Sequence, residues 1–172
     1  MASETFYTTT STISFTLLGL WWVVVQARAS LWQNEAHRRM AYAVSMHFLL
    51  PGVMSVLSLV APDVTWLWRL TFAVAGLIGL VGAVFYVRTL RAEHDCPRIV
   101  RVVEWVAIPI YAVITLIALF PERVKDLGLE LTPLQIEGII LAVLLFLGVQ
   151  AAWVLLVEPP RQPEPPATAG GA

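Results

Sequence analysis

Between Ser45 and Val56 the chain reads SMHFLLPGVMSV, which sets a histidine four residues before a Pro-Gly pair inside an apolar run. Pro51 carries no N–H, so in a helix the carbonyl of His47 loses its donor, and a titratable ring and a freed carbonyl stand at one residue. His47, Pro51, Ser55 and Ser58 fall within about 80° of helical arc, with Gly52 beside the break. That face supports two chemistries. In one, serine or water satisfies the carbonyl and His47 bonds a neighbouring helix. In the other, the kink is a hydrated element of a permeation or proton path. Haem ligation would need a second buried histidine, and His37 and His94 read as loop residues.

Glu104 is the second candidate, because a carboxylate inside an apolar helix is costly and marks a functional site by default. Arg101, three residues earlier, is within ion-pair reach and offers a purely structural account. Tyr111 and Thr115 extend the same line inward past Pro109, to within about 40° of it, so Glu104 also reads as the cytoplasmic opening of a polar path. A third row, Thr8, Thr12, Thr16, Gly19 and Gln26, occupies about 80° of arc in the first apolar segment. Such a row is either a close-packing seam or the wall of an aqueous route. The row Ala75, Gly79 and Ala83, with Gly76 and Gly82 alongside, reads as a packing seam against a helix of the same chain or of a second copy. Glu137 is accounted for by the dipole of the helix it begins, and Gln150, on nearly the opposite face, requires a partner.

Catalysis is not expected. The sequence contains no G-x-S-x-G, H-E-x-x-H, P-loop lysine or Gly-rich nucleotide fingerprint. The stretch AEHDCPR, taken with His37, puts His94 and Cys96 near a third ligand but without regular metal spacing, so neither a metal nor another cofactor is expected. Cys96 is the single cysteine, which excludes an intrachain disulfide.

These residues are positioned by a strongly apolar chain. Of 172 residues, 58% are hydrophobic and 13% charged, and the mean hydropathy is +0.75. Soluble domains carry about a quarter charged residues, so the expected class is an all-α integral membrane protein with the lipid bilayer as its first partner. A net charge of −1 leaves no basic stripe for nucleic acid.

A bilayer core about 30 Å thick takes roughly 20 apolar helical residues, and five gaps between charges are long enough. They predict a bundle of five transmembrane helices over about 8–27, 40–60, 67–87, 101–120 and 133–157, forming one domain over 1–157. Arg28, Arg38, Arg39, Arg88, Arg91, Arg98, Arg101 and Arg161 fall on one side, against Arg69, Arg123 and Lys125 on the other. The positive-inside rule therefore places the N-terminus outside and the C-terminus in the cytoplasm. The first segment has its basic flank after it and reads as a retained helix, not a cleaved leader. Trp21, Trp22, Trp66, Trp68, Trp105 and Trp153 fall near the segment ends, where indoles settle at headgroups. LTPLQ supplies a T-x-x-Q capping box for the last helix. The Pro-rich segment 158–172 reads as a disordered cytoplasmic tail. A single lysine among 11 basic residues is the composition of a GC-rich bacterial genome, which points to a bacterial inner or plasma membrane.

The expected function is an oligomeric channel-like or transport-related protein with a polar interhelical path. The competing expectation is a non-catalytic accessory or assembly subunit of a larger membrane complex, so the partner is either a second copy or another membrane protein. On the first expectation, Glu104→Gln and His47→Ala change ion flux through reconstituted protein far more than they change its melting temperature. Unchanged flux in both variants removes the two residues from the mechanism.

Overall fold

The computed structural model describes residues 2–28, 35–60, 64–91, 98–126 and 131–157. Every regular element among them is helical: α1 (Ala2–Ala27), α2 (Glu35–Val60), α3 (Thr65–Arg91), α4 (Arg98–Leu119), α5 (Pro121–Asp126) and α6 (Pro133–Val157). The expected tail 158–172, the cluster at His94 and Cys96, and the side chains of Arg101 and Glu104 lie outside the described residues.

Four helices are long and apolar enough to cross a membrane, namely Glu4–Ala27, His37–Val60, Trp66–Arg88 and Pro133–Val157. The fourth in chain order differs from the sequence expectation. Its charged first turns leave an apolar stretch of Trp105–Leu119, and Pro121 starts the separate short helix α5. At 1.5 Å per residue that stretch spans only about 22 Å. α1, α2 and α3 begin earlier than charge gaps suggest, because polar residues also propagate a helix when their side chains are satisfied locally. At the start of α1, the Thr9 hydroxyl donates to the Thr5 carbonyl at 2.8 Å and Thr12 to Thr8 at 2.9 Å.

Neighbouring helices run antiparallel. Trp21 Nε1 donates to the Ala41 carbonyl at 3.0 Å, and a methyl group at Gly52 would lie 3.1 Å from the Ser14 Cβ, so α1 descends along α2 as α2 rises. Trp21 is thus buried as an interhelical tie, not placed in an interfacial belt, whereas Trp22, Trp66, Trp105 and Trp153 are exposed. α6 runs parallel to α1. Tyr7 Oη donates to the Leu134 carbonyl at 2.6 Å near one end, and Arg28 donates to the Leu156 carbonyl at 3.0 Å near the other. Arg28 satisfies an end-of-helix carbonyl with a cation, the sign the helix dipole favours. Arg69 does the same for α4, donating through Nε to Ala118 and through Nη2 to Leu119, each at 3.0 Å. α6 opens on a capping box, with Thr132 N donating to Gln135 Oε1 at 2.9 Å and Gln135 N donating to Thr132 Oγ1 at 3.3 Å.

The closest packing joins α3 to α4. Ala75, Gly76, Gly79 and Ala83 are buried on α3. A Cβ at Gly79 would run into the Tyr111 ring, and one at Gly76 would lie 2.5 Å from Thr115 Oγ1. The row therefore meets a helix of its own chain, and the absence of a side chain at Gly79 is what admits the tyrosine. Gly82, one turn on, has nothing within 4 Å. Gly79→Leu is therefore expected to destabilise the bundle by about 1–3 kcal/mol through overpacking, whereas Gly82→Leu stays within about 1 kcal/mol of wild type. Thermal melts of the two variants in detergent check this, and equal melting temperatures would deny the close approach.

Candidate functional site

The helices divide the polar residues into an inward set and an outward set. α1 turns Tyr7, Thr10, Ser11, Ser14 and Trp21 into the bundle. The row Thr8, Thr12, Thr16, Gly19 and Gln26 is exposed on its other side. The structure does not bring Thr12, Thr16 and Gln26 to the interior with His47, so within one chain they line no path. The reason is steric, since Gly52 lets Ser14 and Phe15 dock on α2 and this docking fixes the rotation of α1. Gln150 and Pro109 are also exposed.

Inside, two polar centres form. The inner one is His47, 2% exposed, whose ring packs edge-on to Tyr111 with centroids 6.2 Å apart. Its Nδ1 lies 3.0 Å from the Ala43 carbonyl, so Nδ1 carries the proton and Nε2 is left as an acceptor with no hydrogen-bond partner among the described residues. The ring bonds its own helix and not a neighbour. α2 runs helically through buried Pro51 and Gly52. Gly148 of α6 makes room for the ring, because a Cβ there would lie 2.8 Å from the His47 Cβ. A void of about 50 Å³ between α2, α3 and α4 borders His47, Gly79, Tyr86 and Tyr111. Thr115 sits in the α3–α4 contact with its hydroxyl donating to the Tyr111 carbonyl at 2.8 Å.

The outer centre was not foreseen. Glu137 is 0% exposed, pointing into the bundle, and neither carboxylate oxygen has a hydrogen-bond partner among the described residues. The dipole account placed this side chain at a wet helix end, whereas the structure turns it inward. A signal for this exists in the sequence. Glu137 lies within about 40° of Gly148 and Ala151, the small residues by which α6 packs inward. Tyr7 is within electrostatic reach of it.

The register places further hydroxyls at the same level. Glu137 precedes Gly148 by about three helical turns, and Gly148 meets His47, so the antiparallel α2 reaches the level of Glu137 about three turns beyond His47, at Ser55 and Ser58. Both serines are buried, and Ser55 Oγ has no hydrogen-bond partner among the described residues. A cleft of about 230 Å³ bounded by Phe6, Tyr7, Leu134, Gln135 and Gly138 approaches this level from the end where α6 begins. Between the two centres, Leu50, Met54, Leu141 and Leu144 form a buried apolar layer. Among the described residues no group of three His, Cys, Asp or Glu side chains could hold a metal ion.

The chain matches no protein-family model, and comparison with curated proteins and with solved structures finds no significant similarity. The functional reading therefore rests on the site.

An unpartnered carboxyl in an apolar interior is destabilising by about 1–3 kcal/mol. Glu137→Met, of similar length and fully apolar, is expected to melt at a higher temperature than wild type in the same detergent. A lower melting temperature would mean that the carboxyl makes a stabilising bond.

Proposed function

We propose that this chain is a small multi-pass membrane protein of five spanning helices that acts as an oligomeric channel-like or transport-related protein. The N-terminus lies outside and the C-terminus in the cytoplasm, on the distribution of arginine. A bacterial inner or plasma membrane is the proposed location. The observation that carries the reading is the buried pair of centres, Glu137 and His47, each with atoms left without a hydrogen bond among the described residues, inside a bundle of apolar helices. Stability alone selects against such groups, so function is the natural reason for keeping them. The apolar layer at Leu50, Met54, Leu141 and Leu144 acts in this reading as a closed constriction, which a movement of the packed helices opens.

The exposed row on α1 supplies the assembly contact. Threonines and a glycine on one face let a second helix approach closely and form hydrogen bonds across the contact. The same row is what favours the second reading, an accessory subunit whose α1 packs on a different membrane protein.

One experiment separates them. Thr16→Cys in a Cys96→Ser background is oxidised in native membranes, and the same protein is reconstituted for proton and sodium flux. A disulfide-linked homodimer together with flux that His47→Ala or Glu137→Gln reduces at least tenfold is the expected result. A monomer without flux would transfer the weight to the accessory reading.

A further inference from the structure

The buried hydroxyl groups on the stretches of α1 and α2 that lead to the level of Glu137 share a property that decides what the centre can hold. Ser58 Oγ donates to the Met54 carbonyl at 2.8 Å, Ser14 Oγ to Thr10 at 2.7 Å and Ser11 Oγ to Thr8 at 2.9 Å, while Tyr7 Oη donates to Leu134 at 2.6 Å. Each hydroxyl proton is thereby directed at a backbone carbonyl, and what these oxygens offer the interior is lone pairs. Glu137 adds two carboxylate oxygens, and Ser55 adds a hydroxyl without a hydrogen-bond partner among the described residues. The outer centre is a set of acceptors in which the Ser55 hydroxyl is the one unspent donor among these groups.

Such a set is completed by positive charge. No Lys, Arg or His side chain pairs with Glu137 among the described residues. Of the charged or titratable groups on the helices packed against α6, α1 carries Glu4 and Tyr7, α2 carries His47 about three turns away, α4 carries Tyr111 and the short α5 carries Glu122 and Arg123. Glu4, Glu122 and Arg123 are exposed, and Tyr7 is the one within electrostatic reach. At the end where α4 finishes, Arg69 of α3 is engaged with the carbonyls of Ala118 and Leu119. One carboxylate matches one elementary charge. A divalent ion draws on several carboxylates, which this centre lacks, and oxygen donors favour a hard ion over a soft one. The cleft at Tyr7 and Gly138, far larger than the roughly 10–15 Å³ that admits one water, flanks this level without exposing Glu137, so an ion reaches the carboxylate only when the Tyr7 and Gly138 contact loosens.

We propose that Glu137, with the hydroxyl oxygens of Ser55 and Ser58 on α2 and of Tyr7 on α1, is an exchangeable binding site for a hard monovalent cation, either a proton or sodium. The assignment rests on the reading of this interior as part of a transport route, but its test needs no transport. Binding is measured on the full-length protein in detergent, where no gradient exists. Protein that binds without flux in vesicles would refute the transport reading and leave the site standing.

The probe is dicyclohexylcarbodiimide, which reacts with a protonated carboxyl in an apolar setting and is spared by a carboxylate that holds a metal ion. Intact mass and peptide mapping follow the adduct, with Glu137→Gln as the control for its position. The expected result is one adduct at Glu137 whose rate falls at least tenfold on raising pH, or on adding sodium chloride at constant pH with choline chloride as the ionic-strength control. Protection by sodium identifies sodium as the ligand, and protection by high pH alone identifies the proton. Absence of an adduct at Glu137 at every pH would overturn the proposal, as would labelling indifferent to both pH and sodium. Because the reading is made on wild-type protein, it does not depend on the variant folding.

Discussion

A hydroxyl enclosed by apolar side chains has few acceptors to choose from, and the nearest is the carbonyl of its own preceding turn. In this bundle that constraint governs the interior, since Ser14, Ser45, Ser58, Thr71 and Thr115 all donate four residues back along their own helices. The bonds let polar side chains lie between helices without an interhelical partner, so packing is decided by shape. Gly79 against Tyr111 and Gly148 against His47 are the results. They also leave the inward oxygens as acceptors, which gives the buried carboxylate surroundings unlike those of an ordinary salt bridge.

The interhelical hydrogen bonds at four of the described residues have a different role. Trp21 to Ala41, Tyr7 to Leu134, Arg28 to Leu156 and Arg69 to Ala118 lie toward helix ends, where the backbone has carbonyls to satisfy or the side chain can reach across. They fix the ends of the helices while the middle is held by contact between apolar and small side chains. A bundle tied at its ends and packed by shape at its centre can shift its apolar layer by small side-chain movements without breaking hydrogen bonds there.

Much of the fold was legible because charge gaps and caps are local properties. The all-helical class, the four long apolar helices and the box at Thr132 follow from residues adjacent in sequence. For α4 the apolar stretch is shorter than the charge gap suggests, because charged residues fill its first turns, and α5 was not anticipated, although Pro121 stands at its first position, where proline is favoured. The site was harder. Angular position ranks residues around one helix, but which arc faces inward is set by the neighbour. The Thr12 and Thr16 row and the Tyr7 and Ser14 row are both plausible inner faces of α1, and only the notch at Gly52 on α2 selects the second.

Glu137 shows how a correct local argument yields a wrong placement. A carboxylate in the second turn of a helix is favoured by the dipole whether it faces water or the core. What distinguishes the two is the company on its face. Gly148 and Ala151 are small because α2 passes there, and a side chain in line with them must enter the same interface. The dipole then acts on an inward carboxylate, and it favours the charged form just where hydrogen-bond donors are scarce. A carboxyl left unpaired by its neighbours, in an interior of acceptor oxygens, is completed by a proton or a cation, and the cleft beside Tyr7 lies against the helix turn that carries it.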